Sequence, residues 1–292
     1  MGENCKKYGV PLYGASFVPH NALKSSGTDA KKEDEDSGNR PNYVIFAGGG
    51  GEGRSGIPNS LVISLFDSAS NSLSDQPVEK LETGDDLPYR MAVHPGGEGV
   101  VCLLPKSCSH LRKCFDKLED IGQQVAVTLS QDGSLLAVGG EDGTLRMFKW
   151  PSVALILDAP KAHTSVKNLD SIPFHETNAT LDFSPDGKYL VSVGSGPGRV
   201  WDISSSIAKA SLSKENDEVF GFCKFSLNGE SDPFLYVTAM RDRGGSIVKW
   251  NTTTWKRRSS KHVVWGPISA FNVSYDEKLL SMLNIVNWLM WR

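Results

Sequence analysis

The sequence predicts an all-β fold, on three observations. Short apolar runs rich in Val, Ile, Phe and Tyr recur along the 292 residues, each bounded by Gly, Pro, Asn or Asp. The tight-turn dipeptides Asp132-Gly133, Asp186-Gly187 and Asn228-Gly229 return 54 and 42 residues apart, the length of one four-stranded unit plus a variable loop. Trp150, Trp201 and Trp250 are read as closing the third strand of each copy.

The first strand is expected within Tyr8 to Val18. From Lys24 to Arg40 apolar residues vanish and the chain reads Lys-Lys-Glu-Asp-Glu-Asp, so 24–40 is expected to be a disordered acidic surface insertion. Tyr43 to Ala47 and Leu61 to Phe66 read as strands, and Asp67 to Asp86 as a polar excursion. Tyr89 to Pro95 and Gly99 to Leu104 are two short strands around a Pro-Gly-Gly turn. The repeats then begin: Val125 to Gly133, Leu135 to Gly140 and Gly143 to Trp150; Ala179 to Gly187, Tyr189 to Gly194 and Gly198 to Asp202. A third copy runs from Phe222 to Asn251, and a fourth starts at Ile268 with Asp276 in its turn. One such sheet cannot bury both faces alone, so the copies must stack about an axis, within one domain spanning 1–292. His163 and Asp182 are expected to form a structural hydrogen-bonded pair.

A net charge of -3 argues against general attraction to nucleic acid or to acidic lipid. Five cysteines, Cys5, Cys102, Cys108, Cys114 and Cys223, are odd in number, and the N-terminus lacks an apolar leader core, which points to a reducing cytosolic setting. Cys108 and Cys114 with His110 match no zinc-finger spacing and read as ordinary thiols. Lys256, Arg257 and Arg258 with Lys261 read as a solvated hairpin surface, contact with lipid head groups being the alternative. Leu279 to Trp291 is apolar but carries Asn284 and Asn287 and is shorter than the ~20 residues of a spanning helix. Nucleophile, base and orienting group cannot be assembled from these motifs, so no covalent chemistry is expected.

The unusual stretch is Gly48 to Asn59, Gly-Gly-Gly-Gly-Glu-Gly-Arg-Ser-Gly-Ile-Pro-Asn, between two strands. Six glycines in nine positions allow positive φ and let the main chain aim its own amides and carbonyls outward. Gly48, Gly50 and Gly53 match G-x-G-x-x-G, but Gly56 and Pro58 interrupt the helix that a dinucleotide site needs. Kinase and phosphate-loop signatures are missing as well.

The repeats, with Trp201-Asp202 as a matching pair, resemble the WD-repeat β-propeller. The whole chain resembles the Sec-twelve family, on Tyr8 to Ala15, on Ala47-Gly48-Gly49-Gly50-Gly51-Glu52-Gly53, and on Gly56-Ile57-Pro58-Asn59 with Leu61. The resemblance implies a seven-bladed propeller on the cytosolic face of the endoplasmic reticulum. It also implies a guanine-nucleotide exchange factor for a Sar-type small GTPase that starts COPII coat assembly, and not an enzyme of covalent chemistry. It places a potassium ion on the carbonyls of Gly48, Gly49, Gly50 and Gly51. It makes Asn59 the key side chain toward the GTPase switch region, with Ile57 as apolar contact and Pro58 fixing the approach. The resemblance further implies blades and a membrane anchor beyond Arg292, so the propeller is expected to be incomplete at its C-terminus. Without the anchor the chain would be soluble and cytosolic. Plant relatives raise the alternative of a trafficking adaptor for export of a membrane transporter, and a generic propeller scaffold is a third reading.

Overall fold

The computed structural model describes residues 7–19, 42–51, 55–67, 69–70, 72–104, 124–159, 162–163, 180–194, 196–215, 217–226, 234–241, 244–266, 268–273, 280–284 and 287–291. Every regular element among them is a strand, as expected of an all-β fold. The chain divides into two compact units, Met1–Asp120 and Ile121–Arg292.

In the first unit, β1 (Leu12–Val18), β2 (Asn42–Gly48) and β3 (Asn59–Asp67) form an antiparallel sheet. β4 (Ser72–Leu73) and β5 (Glu79–Gly84) pair in turn with β3. β6 (Arg90–Val93) and β7 (Val100–Leu103) make a separate hairpin. The stretch read as a polar excursion therefore supplies two strands. Its signal was hidden because Glu79, Lys80, Leu81 and Glu82 are all exposed, which removes the buried alternate face that pattern reading relies on. One face of the β1–β2–β3 sheet buries Ile45, Ala47 and Leu61 against Cys102, with Met91 and Val93 packed beside them. Burial pushes the Cys102 thiol up to about 12, so it stays protonated and inert.

The second unit is built of consecutive blades of the WD-repeat propeller class. The first is β8 (Gln124–Leu129), β9 (Leu135–Gly140), β10 (Leu145–Lys149) and β11 (Ala154–Ala159). Next come β12 (Thr180–Phe183), β13 (Tyr189–Val193), β14 (Gly198–Asp202) and β15 (Ile207–Leu212). The third holds β16 (Val219–Phe225), β17 (Phe234–Arg241), β18 (Gly244–Asn251) and β19 (Lys256–Trp265). The last sheet is β20 (Ile268–Val273), β21 (Leu280–Asn284) and β22 (Asn287–Trp291), with Asn284 and Asn287 paired between antiparallel strands. The first strands β8, β12, β16 and β20 lie side by side. Apolar clusters fill each seam. Leu145, Met147, Leu181 and Trp201 join the first two blades; Val191, Leu212, Phe220 and Trp250 the next pair; Ile247, Ile268 and Phe271 the last.

The recurring Ser-x-Asp-Gly has a local cause. In the turn after β8, the Ser130 hydroxyl donates to Asp132 at 2.5 Å and accepts the Leu135 amide at 2.9 Å, while Gly133 takes φ 73°. The turn after β12 repeats this with Ser184, Asp186, Tyr189 and Gly187 at φ 68°. Left-handed φ is why glycine follows the acid. Asn228-Gly229 and Asp276 lie outside the described residues, as do 24–40 and Cys5, Cys108, His110 and Cys114.

Two further sequence expectations need correction. Trp150 does not close a third strand: β10 ends at Lys149, and Phe148, paired with Leu136, occupies the place that Trp201 holds opposite Leu190 and Trp250 opposite Leu235. The left-handed residues Val153, Ser206 and Trp255 stand at matching turn positions and confirm that register. The error arose because aromatic identity was followed instead of register. Likewise His163 is not paired with Asp182. Its Nε2 lies 2.9 Å from the Ser192 hydroxyl, which also accepts the Trp201 indole N–H at 2.9 Å. Asp182 instead accepts the backbone N–H of Phe225 and the Lys224 ammonium across the seam to β16.

Candidate functional site

The glycine stretch is the connection between β2 and β3, and close approach shapes it. Gly48 lies so near β1 that a Cβ there would stand 2.0 Å from the Pro11 carbonyl oxygen. The Gly49 amide donates to that same oxygen at 2.9 Å. A side chain on Gly49, at φ 149°, would meet Asn59 Oδ1 at 2.2 Å, and one on Gly50 would meet the Ser55 hydroxyl at 2.1 Å. Gly51 and Gly56 take φ 79° and 69°. Bulk at the first three positions and backbone conformation at the others select glycine.

Asn59 opens β3 and is only 3% exposed. Its side-chain amide faces inward. Oδ1 accepts the Gly51 N–H at 2.9 Å, and Nδ2 donates to the Gly51 carbonyl at 3.2 Å and to the Gly84 carbonyl at 3.0 Å. Both amide hydrogens are thus committed to main chain, and the loop is fastened to the end of β5. Ser55 adds a smaller brace, donating to Gly50 O at 3.5 Å and accepting the Ile57 N–H at 3.3 Å. Ile57, 36% exposed, and Pro58 stand outward.

The structure therefore brings Gly48, Gly49, Gly50, Gly51 and Asn59 into one braced turn, with Ile57 and Pro58 on its outside. Gly84, Pro11 and Ser55 complete that turn and were missed by sequence reading. Gly84 ends the charged strand β5, and Pro11 contributes only its carbonyl, which no side-chain pattern can signal. Glu52, Gly53 and Arg54 lie outside the described residues.

The donor set is chemically narrow. Gly48 to Gly51 offer neutral carbonyl oxygens, those of Gly50 and Gly51 each already accepting one hydrogen bond and keeping a second lone pair. Neutral carbonyls suit a weakly hydrated monovalent cation and give little hold on a divalent one. Among the described residues no cluster of three or more His, Cys, Asp or Glu side chains could hold a metal.

Residues 113–149 match the WD domain, G-beta repeat. The chain is 43% identical to "SEC12-like protein 2" of Arabidopsis thaliana, over 96% of this chain and 74% of that protein. It is 30% identical to "SEC12-like protein 1" of the same plant, over 82% of this chain and 62% of the relative. Among solved structures, a chain of the "Crystal Structure of Mitotic Checkpoint Complex" superposes with a TM-score of 0.59, covering 87% of this chain and 81% of its own, at 11% identity, a likeness of fold alone. No helix among the described residues is long and apolar enough to cross a membrane. On identity that spans nearly its whole length, with the WD repeat inside it, the chain belongs to the SEC12-like family.

Proposed function

We propose that the chain is a guanine-nucleotide exchange factor for a Sar-type small GTPase, acting at the endoplasmic reticulum in COPII vesicle formation. The observation that carries this reading is the braced loop, in which a buried Asn59 fastens the glycine backbone while Ile57 and Pro58 stand outside. A loop ordered before contact avoids part of the entropic cost of binding.

Exchange requires no bond to be made or broken. Tight GDP binding depends on ordered switch segments around Mg²⁺, so a partner that prefers the nucleotide-free arrangement lowers GDP affinity. Entry of GTP then displaces that partner. Ile57 and Pro58 supply the apolar contact with the switch. Asn59, its two amide hydrogens already spent, acts as a positioning residue that sets where they stand. A potassium ion on the carbonyls of Gly48 to Gly51 would add a fixed positive charge under the loop and hold those oxygens together.

The test is fluorescent GDP release from a Sar-type GTPase. Ile57→Ala and Asn59→Ala should each slow release at least tenfold, with melting temperatures tracking the fold, and replacing potassium by sodium should slow it further. Release that ignores all three changes would transfer the function to the trafficking-adaptor reading.

A further inference from the structure

From Arg243 to Tyr275 the chain carries six Lys and Arg residues and no Asp or Glu, within a protein whose net charge is -3. Three of the six, Lys256, Arg258 and Lys261, stand exposed on one edge. β19 is the outermost strand of its blade, ten residues long, and among the described residues no further strand pairs with it. Lys256, Arg258, Lys261 and His262 are exposed along it, with Ser259 and Ser260 between. At one end Trp265 is 82% exposed, its ring 4.5 Å from that of His262. On the neighbouring strand β18, the Lys249 ammonium sits 3.8 Å from the Phe234 ring centroid, and the Arg258 guanidinium lies 5.9 Å from the same ring. Arg257 is not part of this surface, since it donates to both carboxylate oxygens of Glu218 at 2.7 and 2.8 Å.

We propose that the β19 edge is a docking surface for an anionic phospholipid bilayer. The exposed cations are spread from Lys256 to Lys261, about 17 Å of strand at ~3.3 Å per residue, instead of converging on a pocket, which matches a flat sheet of charge better than a single phosphate. Lysines on a sheet edge oppose pairing with an added strand, which disfavours a peptide that would extend the sheet. An exposed indole at the end of a basic stretch is the side chain that settles at the head-group level of a bilayer. Serine in the gaps keeps the surface low, so the charged tips can reach a plane together.

Flotation of the full chain with phosphatidylcholine vesicles, with and without phosphatidylserine, tests this. Binding should require phosphatidylserine and fall as salt rises. Each neutralised cation should cost roughly fivefold, so K256Q/R258Q/K261Q should weaken partitioning about 100-fold. The charge-keeping K256R/K261R should bind as the natural chain does, and W265S should lose several-fold. Unchanged melting temperatures separate lost binding from lost folding, and GDP release measured without vesicles should be unaltered, which keeps this outcome distinct from the exchange reading. Equal binding to uncharged vesicles, or indifference to K256Q/R258Q/K261Q, would overturn the proposal. So would capture of the chain by polyglutamate in preference to vesicles, which would assign the edge to an acidic polypeptide.

Discussion

Asn59 and Gly51 hold each other by a reciprocal pair of hydrogen bonds, Gly51 N–H to Oδ1 at 2.9 Å and Nδ2 to the Gly51 carbonyl at 3.2 Å. A side-chain amide here does what a strand neighbour does for a backbone amide. It satisfies one donor and one acceptor of the same residue, and a third bond to Gly84 anchors the pair to β5. Removing the amide as Asn59→Ala leaves three main-chain groups without that partner and should destabilise the first unit by ~1–3 kcal/mol. Asn59→Asp keeps an acceptor for Gly51 N–H but turns a carboxylate toward two carbonyl oxygens. It should therefore be the worse variant at neutral pH and recover in part as pH falls through the carboxylate range. Thermal unfolding and hydrogen exchange at the Gly51 amide measure both. An Asn59→Ala change under ~0.5 kcal/mol would mean that Asn59 does not brace the loop.

The glycines should differ in a predictable order. Gly48→Ala drives a Cβ into a backbone oxygen, and Gly49→Ala drives one into Asn59 while also demanding φ 149°. Neither neighbour can move without undoing the sheet or the brace, so each should cost ~3 kcal/mol or more. Gly51→Ala meets nothing within 4 Å and bears only the left-handed strain of φ 79°, ~1–2 kcal/mol. Equal melting temperatures across the three alanine variants would contradict this geometry.

How much of this was legible beforehand depends on what each residue type signals. The propeller class was readable because Ser130-Gln131-Asp132-Gly133 and Ser184-Pro185-Asp186-Gly187 build the same hydroxyl-clamped turn. The glycine loop stood out by composition. The inward orientation of Asn59 did not, since its partner Gly84 lies 25 residues on, at the end of a strand whose exposed charges hide it. Register was misread at Trp150 because an indole resembles its counterpart in type while sitting two places later than Phe148. The His163 pairing was misassigned because sequence shows candidate partners but not which one the seam brings within reach.

His163 makes stability depend on pH. Burial, helped by Arg199 and Lys214, pushes its pKa from 6.5 down to about 4. A neutral ring can accept the Ser192 hydroxyl proton at Nε2 while Trp201 donates to the same oxygen, whereas a protonated ring would turn both neighbours into donors. The unfolded chain takes up this proton near pH 6.5 and the folded chain only near pH 4. Stability is therefore complete above 6.5 and falls as pH drops through that window, by at most about 3 kcal/mol. Urea unfolding of the natural chain and of His163→Gln should show the difference. The variant should begin less stable at pH 7.5 and lose less between 6.5 and 4.5.

The seam between the second and third blades of the larger unit gives a test of which interactions matter there. Thr180 Oγ1 accepts the Cys223 N–H at 3.0 Å and Asp182 accepts the Phe225 N–H at 2.7 Å, so alternate residues of β12 satisfy alternate amides on the open edge of β16. Asp182 also pairs with Lys224 at 2.8 Å, but that lysine side chain is 36% exposed, and water can replace much of what the ion pair supplies. The backbone bond should dominate. Asp182→Ala should cost ~2–3 kcal/mol and Asp182→Asn, which keeps an acceptor for Phe225, about 1 kcal/mol. A double-mutant cycle of Asp182→Ala with Lys224→Met should return a coupling below ~1 kcal/mol. A larger coupling would mean that the ion pair, and not the capped amide, locks the two blades together.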